Sequence, residues 1–162
     1  MLLQSMEYKK WADERTIDAI KQIDKGKFAD ACGFVLQQLN HMVIVEELFI
    51  SRLDNKPPPH LSTNTESVPQ LDELSLRLAD ATKWLLNFAS QVSENQKRSV
   101  LRFEFTDGKR GSMSVEEMLF HIINHGSYHR GSIAHCLDLA GVPHPVDGYG
   151  IYIHQIEPER RD

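Results

Sequence analysis

Residues Ser114–Gly141 read SVEEMLFHIINHGSYHRGSIAHCLDLAG, and this stretch decides the fold. It opens on Ser114-Val115-Glu116-Glu117, a capping box in which a serine hydroxyl and a glutamate carboxylate each accept from a backbone N–H left orphaned at a helix start. Gly141 follows the last periodic residue and Pro143 stands just beyond, the pair of signals that stops a helix. The spacing predicts one long capped helix carrying His121, His125 and His129 at steps of four. A step of four turns a helix by about 400°, so the three imidazoles share one face, about 6 Å apart along the axis. A single helix cannot bury its own apolar stripe, so its partners must lie upstream.

Three further helical patterns supply them. The first runs from about Ser5 to Asp24, with Trp11, Ile17, Ala19, Ile20 and Ile23 at helical spacing and Gly26 as its stop. The second runs from about Phe28 to Asp54 with a dense apolar face between Val35 and Leu53. Asn55–Val68 contains Pro57, Pro58 and Pro59 followed by a polar run, and cannot continue that helix. The third starts at Ser67, where Ser67-Val68-Pro69-Gln70 reads as a capping box, and continues to about Val92. Val100–Phe105 alternates apolar and charged residues and Asp107-Gly108 supplies a turn, so a two-stranded ribbon is expected to about Met113. Together these patterns predict one all-α domain over residues 1–162, a four-helix bundle with a short β-ribbon before its last helix. Fourteen extended residues span about 46–50 Å, more than the roughly 40 Å of the second helix. The connector can therefore cross the whole bundle and leave helices two and three parallel.

Composition removes several functions. With 41% hydrophobic and 25% charged residues in 162, the chain has globular usage and enough length for a core without staples. Lys+Arg total 18 against Asp+Glu 23, a net charge of −5, and no basic run exceeds two residues, which argues against phosphate-backbone binding to nucleic acid. No apolar stretch approaches the ~20 residues of a membrane span, and MLLQSMEYKKWADE has no apolar core of a secretory signal. Cys32 and Cys136 lack CxxC spacing and read as buried small residues of a reducing, cytoplasmic compartment.

The histidines are where chemistry concentrates. His125 and His129 are placed to share one metal ion, and a third ligand should come from a neighbouring helix. His41 is the candidate, because it lies near the midpoint of the second helix as His125 and His129 lie near the midpoint of theirs. Three imidazoles without a fourth protein ligand leave open coordination positions, and suit zinc, nickel, iron or copper. Helical histidines are also commonly solvated and HxxxH recurs by chance, so spacing alone leaves both readings open.

Phe120-His-Ile-Ile-Asn-His-Gly-Ser-Tyr-His-Arg-Gly-Ser-Ile133 closely resembles the signature helix of the DinB/YfiT-like metalloenzyme family. Leu39-Asn-His-Met-Val-Ile-Val-Glu-Glu-Leu-Phe49 resembles its second helix, and Tyr8 with Trp11-Ala12 its N-terminal pattern. The resemblance spans almost the whole chain. It implies a metal triad of His41, His125 and His129 binding a divalent ion, zinc or nickel foremost. His121 matches a recurrent family histidine that is not counted as a ligand, and is expected to line the pocket or orient a ligand. It further implies an enzyme that transfers a low-molecular-weight thiol such as bacillithiol or mycothiol to an electrophilic small-molecule substrate, in a homodimer. Metal-dependent hydrolysis, and a non-catalytic metal-binding dimeric bundle, are the alternatives.

Other residues carry weaker signals. Tyr8, Trp11, Asn124 and Tyr128 are pocket candidates, although aromatics at helical spacing are commonly core. Of Glu46 and Glu47, one is expected to be solvated and the other paired with a cation; a carboxylate there could also serve as general base. Arg130 either binds an anionic substrate or bridges helices through a carboxylate. His60, His144 and His154 read as surface residues in loops or the tail.

Overall fold

The computed structural model describes residues 1–161 and is mostly helical, with one two-stranded antiparallel ribbon. Its elements are α1 (Leu2–Ile20), α2 (Ala29–Leu53), α3 (Leu71–Gln91), the single turn α4 (Glu94–Lys97), β1 (Val100–Glu104), β2 (Arg110–Ser114), α5 (Val115–Leu139) and α6 (Tyr149–Ile156). A 3₁₀ turn, Pro158–Arg160, follows α6.

The strongest sequence signals reappear as geometry. Ser114 Oγ accepts from the Glu117 N–H and the Glu117 carboxylate accepts from the Ser114 N–H. Gly141 adopts φ +70° beyond the end of α5, where a side chain would be strained. The ribbon pairs Val100 with Ser114 and Glu104 with Arg110. It closes through a turn in which Gly108 has φ +81°.

Four expectations need correction. α1 ends at Ile20, not Asp24, and Gly26 is not its stop. Asp24 ends the helical path instead, its carboxylate accepting from the N–H groups of Gly26 and Lys27 in an Asx turn. α3 begins at Leu71 after Gln70, with no side-chain cap. Val68 precedes proline and is pushed out of the helical region, so Ser67 cannot cap it. Two short helices were missed: α4, opened by a Ser93/Gln96 capping box, and α6, which buries Tyr152 and Ile153. His154 therefore lies on a helix rather than in a tail.

The four long helices touch in a cycle, α1 to α5, α5 to α2, α2 to α3 and α3 to α1. The sequence neighbours α1 and α2 are thus diagonal to one another. One apolar cluster joins Ile17–Ile23 of the α1 end, Val35–Val43, Leu71–Leu78 and Ile133–Val142. A second joins Met6–Ala12, Val45 and Phe49, Leu85, Val115–Ile123 and Tyr152–Ile153. Early α2 packs with early α3 and late with late, so these two helices run parallel, as the long connector allows. α1 and α5 run opposite to them. Between the two clusters lies a polar layer containing buried Lys9, Asp13, Glu46 and Arg130.

Candidate metal centre

His41 on α2 faces His125 and His129 on α5, and the three rings are half-buried. His125 Nε2 lies 3.1 Å from His41 Nε2 and 3.0 Å from His129 Nε2. The outer nitrogens determine what these contacts are. His41 Nδ1 lies 2.8 Å from the Thr63 carbonyl and His129 Nδ1 lies 2.7 Å from Gln38 Oε1. A carbonyl oxygen only accepts, so each Nδ1 carries the proton and each Nε2 presents a lone pair. One N–H on His125 cannot satisfy two acceptors well, whereas one cation satisfies all three nitrogens. The residues present fit a divalent ion, and no fourth His, Cys, Asp or Glu joins the group among the described residues.

Electrostatics agree with that fit. Burial, then the neighbouring His129 and His41, push His125 down to about 3. Burial, then His41, push His129 down to about 4. Both rings are therefore neutral near pH 7, the state in which imidazole ligates.

His121, one turn earlier on α5, stacks on His125 at 5.4 Å between ring centroids and on Phe49 at 4.7 Å. Its ring nitrogens are not in the converging trio. Tyr128 is exposed and meets His129 edge-on. Asn124 is exposed on α5. Trp11 packs on Tyr8 and Tyr152 and donates to Gln155 Oε1, so its contacts lie on the α6 side of α1. Tyr8 donates to Asp147. Arg130 is buried and bridges helices rather than waiting for an anion, its Nη1 2.8 Å from Asp13 and its Nε 2.8 Å from Asp147.

Glu47 pairs with a cation, as expected of one of the two, but Glu46 is buried rather than solvated. Glu47 is held by both arms of Arg77 and by His60, which gives His60 a half-buried partner instead of a free surface position. His144 reaches Asp138. Glu46 is enclosed beside Lys9 at 2.8 Å, with its second oxygen unpartnered. Burial pushes its carboxyl up to about 7 against the pull of Lys9. Lys9 is itself held more firmly protonated by Asp13 and Glu46, which outweigh its own burial. Asp13 has Arg130 as a second cation and Glu46 has none within ion-pair distance, so the two shifts are compatible.

Gln38 and Thr63 were missed at the level of sequence. Gln38 sits one turn before His41 and could have been noticed as a polar residue on that face; Thr63, in an irregular connector, offered no signal.

The profile of the DinB family matches residues 1–161. The chain belongs to the DinB family. A curated relative is "Protein DinB" of Bacillus subtilis (strain 168), 26% identical over 167 aligned positions that cover 95% of this chain and 94% of the relative. No solved structure matches the chain. Within this DinB-family chain, three of the four histidines in the resembling segments, His41, His125 and His129, bring their Nε2 atoms together.

Proposed function

We propose that this DinB-family chain is a metal-dependent enzyme that transfers a low-molecular-weight thiol to a small electrophile. His41, His125 and His129 are its ligands, zinc or nickel its ion, and the four long helices form a four-helix bundle with the 54–70 connector as crossover. The observation that supports this reading is the convergence of three Nε2 atoms, two of them with their lone pair turned inward, without a fourth protein ligand among the described residues. A divalent ion held there supplies charge and open coordination positions that keep a thiol deprotonated near neutral pH.

The remaining work falls to the chain. Thr63 and Gln38 hold two imidazoles in the ligating tautomer. His121 and Phe49 continue the ring stack on one side of the trio. On the other, Tyr128 borders a cleft of about 680 Å³ walled by Ala31, Phe34, Cys136 and Leu139, which suits the carbon body of an electrophile. In the reaction the thiol gives its proton to solvent, a sulfur–carbon bond forms, and the leaving group departs with its electron pair. The exposed Leu3 of α1 and Leu76 of α3 support a homodimer, which light scattering at high micromolar concentration will show as twice the chain mass.

The test is conjugation of monochlorobimane with bacillithiol, mycothiol or glutathione by metal-loaded protein. Turnover is expected with at least one thiol and is expected to vanish in the metal-free protein and in His125→Ala. A Co²⁺-substituted protein whose spectrum no thiol perturbs would overturn the reading, and thiol-independent cleavage of a nitrophenyl ester would replace it with hydrolysis.

A further inference from the structure

The histidine trio stands at one end of a longer stripe. On α2, His41, Val45, Phe49 and Arg52 are spaced i, i+4, i+8 and i+11, which keeps them within about 80° of one another around the helix. On α5, antiparallel to α2, the stripe reads His129, His125, His121. The two meet ring on ring, with Phe49 stacked on His121 and His121 stacked on His125. The far end is closed by Arg52, about 16 Å along the axis from His41 by backbone rise.

Arg52 is half-buried, and its guanidinium carbon lies 4.2 Å from the ring centre of Phe103, 4.8 Å from Phe49 and 5.4 Å from Phe105. β1 thus contributes Phe103, and the loop after it Phe105. Its one hydrogen bond is a long one, 3.4 Å to the Glu104 carbonyl. Among the described residues no carboxylate lies within ion-pair distance of it, whereas buried Lys9 and Arg130 and half-buried Arg77 each have one. Burial also makes Arg52 easier to deprotonate than usual, the mark of a charge without compensation. Three phenyl faces hold the guanidinium plane and leave its remaining N–H donors without a protein acceptor.

We propose that Arg52 is the carboxylate-binding end of the thiol site, selecting an elongated thiol that carries a carboxylate at the end remote from its sulfur. The inference rests on the thiol reading above for what lies at the histidines, but not for the anion at Arg52. A guanidinium fork matches a carboxylate through two parallel N–H···O bonds, and the phenyl rings pre-set its plane. The half-buried rings of His121 and His125, backed by the buried Phe49, then form the floor along which the body of the ligand lies.

Two arms test it. In Co²⁺-substituted protein, glutathione is expected to bind at least about tenfold more tightly than its diethyl ester, and the preference to vanish in Arg52→Gln. In metal-free protein, succinate titrated calorimetrically is expected to bind, dimethyl succinate not to, and Arg52→Gln to abolish the difference. Arg52→Met keeps apolar contact with the three rings; matching thermal stability in Arg52→Met and wild type, with binding lost, separates recognition from packing. If no thiol perturbs the cobalt spectrum, the thiol reading fails and the succinate arm alone decides Arg52. Equal succinate affinity in wild type and Arg52→Gln, no succinate binding, or preference for inorganic phosphate over succinate would each overturn the proposal.

Discussion

At the scale of single residues, the site depends on oxygens that never meet a ligand. Gln38 Oε1 fixes the proton of His129 on Nδ1, so the opposite nitrogen is free to ligate. Removing such an outer partner costs about 10–100-fold in metal affinity. Gln38→Leu is therefore expected to weaken Zn²⁺ binding by that factor in competition with a chelating dye, while His121→Ala retains most of it and His129→Ala loses it. Unchanged affinity in Gln38→Leu would mean that His129 is not oriented by this bond. Glu46 makes a separate prediction through pH. Its carboxyl is raised from 4.5 to about 7 by burial, so folding takes up a proton between those values. The native state then binds more protons than the unfolded one, and this contribution to stability falls as pH rises through that window. Relative to wild type, metal-free Glu46→Gln should gain roughly 1–3 kcal/mol between pH 5 and pH 8 in urea denaturation. A constant difference across that range would show that Glu46 is ionised throughout.

At the scale of elements, the decisive contact is the approach of α1 to α5 at Gly126. A Cβ there would lie 2.9 Å from Arg130 Nη1 and 3.9 Å from Lys9 Cε. An arginine tip usually moves aside, but this one is buried and tied to Asp13 and Asp147. Gly126→Ala gains about 1 kcal/mol of helix propensity and loses about 1–3 kcal/mol through overpacking and a disturbed ion network. The variant should melt below wild type, and a higher midpoint would mean that Arg130 relocates without loss. The connector acts as an element too. Thr63 holds His41, and Asn40 donates to Thr65, so its irregular path is tied to α2 beside the histidines.

At the scale of the molecule, two apolar clusters stand above and below a layer of buried ions, and the histidine trio sits at the edge of that layer. Both clusters draw on all four long helices, so the core does not depend on the metal. A chain of this length buries enough surface to fold without a staple. Far-UV circular dichroism of the metal-free protein at pH 7 should match that of the loaded protein, with only a modest fall in midpoint from lost ligand linkage. Loss of helix on chelation would show the ion to be structural. No helix among the described residues is long and apolar enough to cross a membrane.

The histidine helix, its Ser114/Glu117 cap, its Gly141 stop, the ribbon turn and the reach of the proline-rich connector were legible in the sequence. Each is a local matter, decided by backbone periodicity, capping chemistry or chain length. The choice of His41 was legible because two long helices in rough register bring their midpoints together. What tertiary structure alone decided is which buried polar group meets which. Glu46 and Glu47 are adjacent in sequence, yet one helix rotation sends the first inward to Lys9 and the second outward to Arg77. Arg130 becomes a bridge only because α1 and the segment before α6 bring Asp13 and Asp147 to it. Gln38, Thr63 and the unpaired guanidinium of Arg52 gain their meaning in the same way. Periodicity states which face of a helix is buried; the rotation and register of the opposing helix determine what that face finds there.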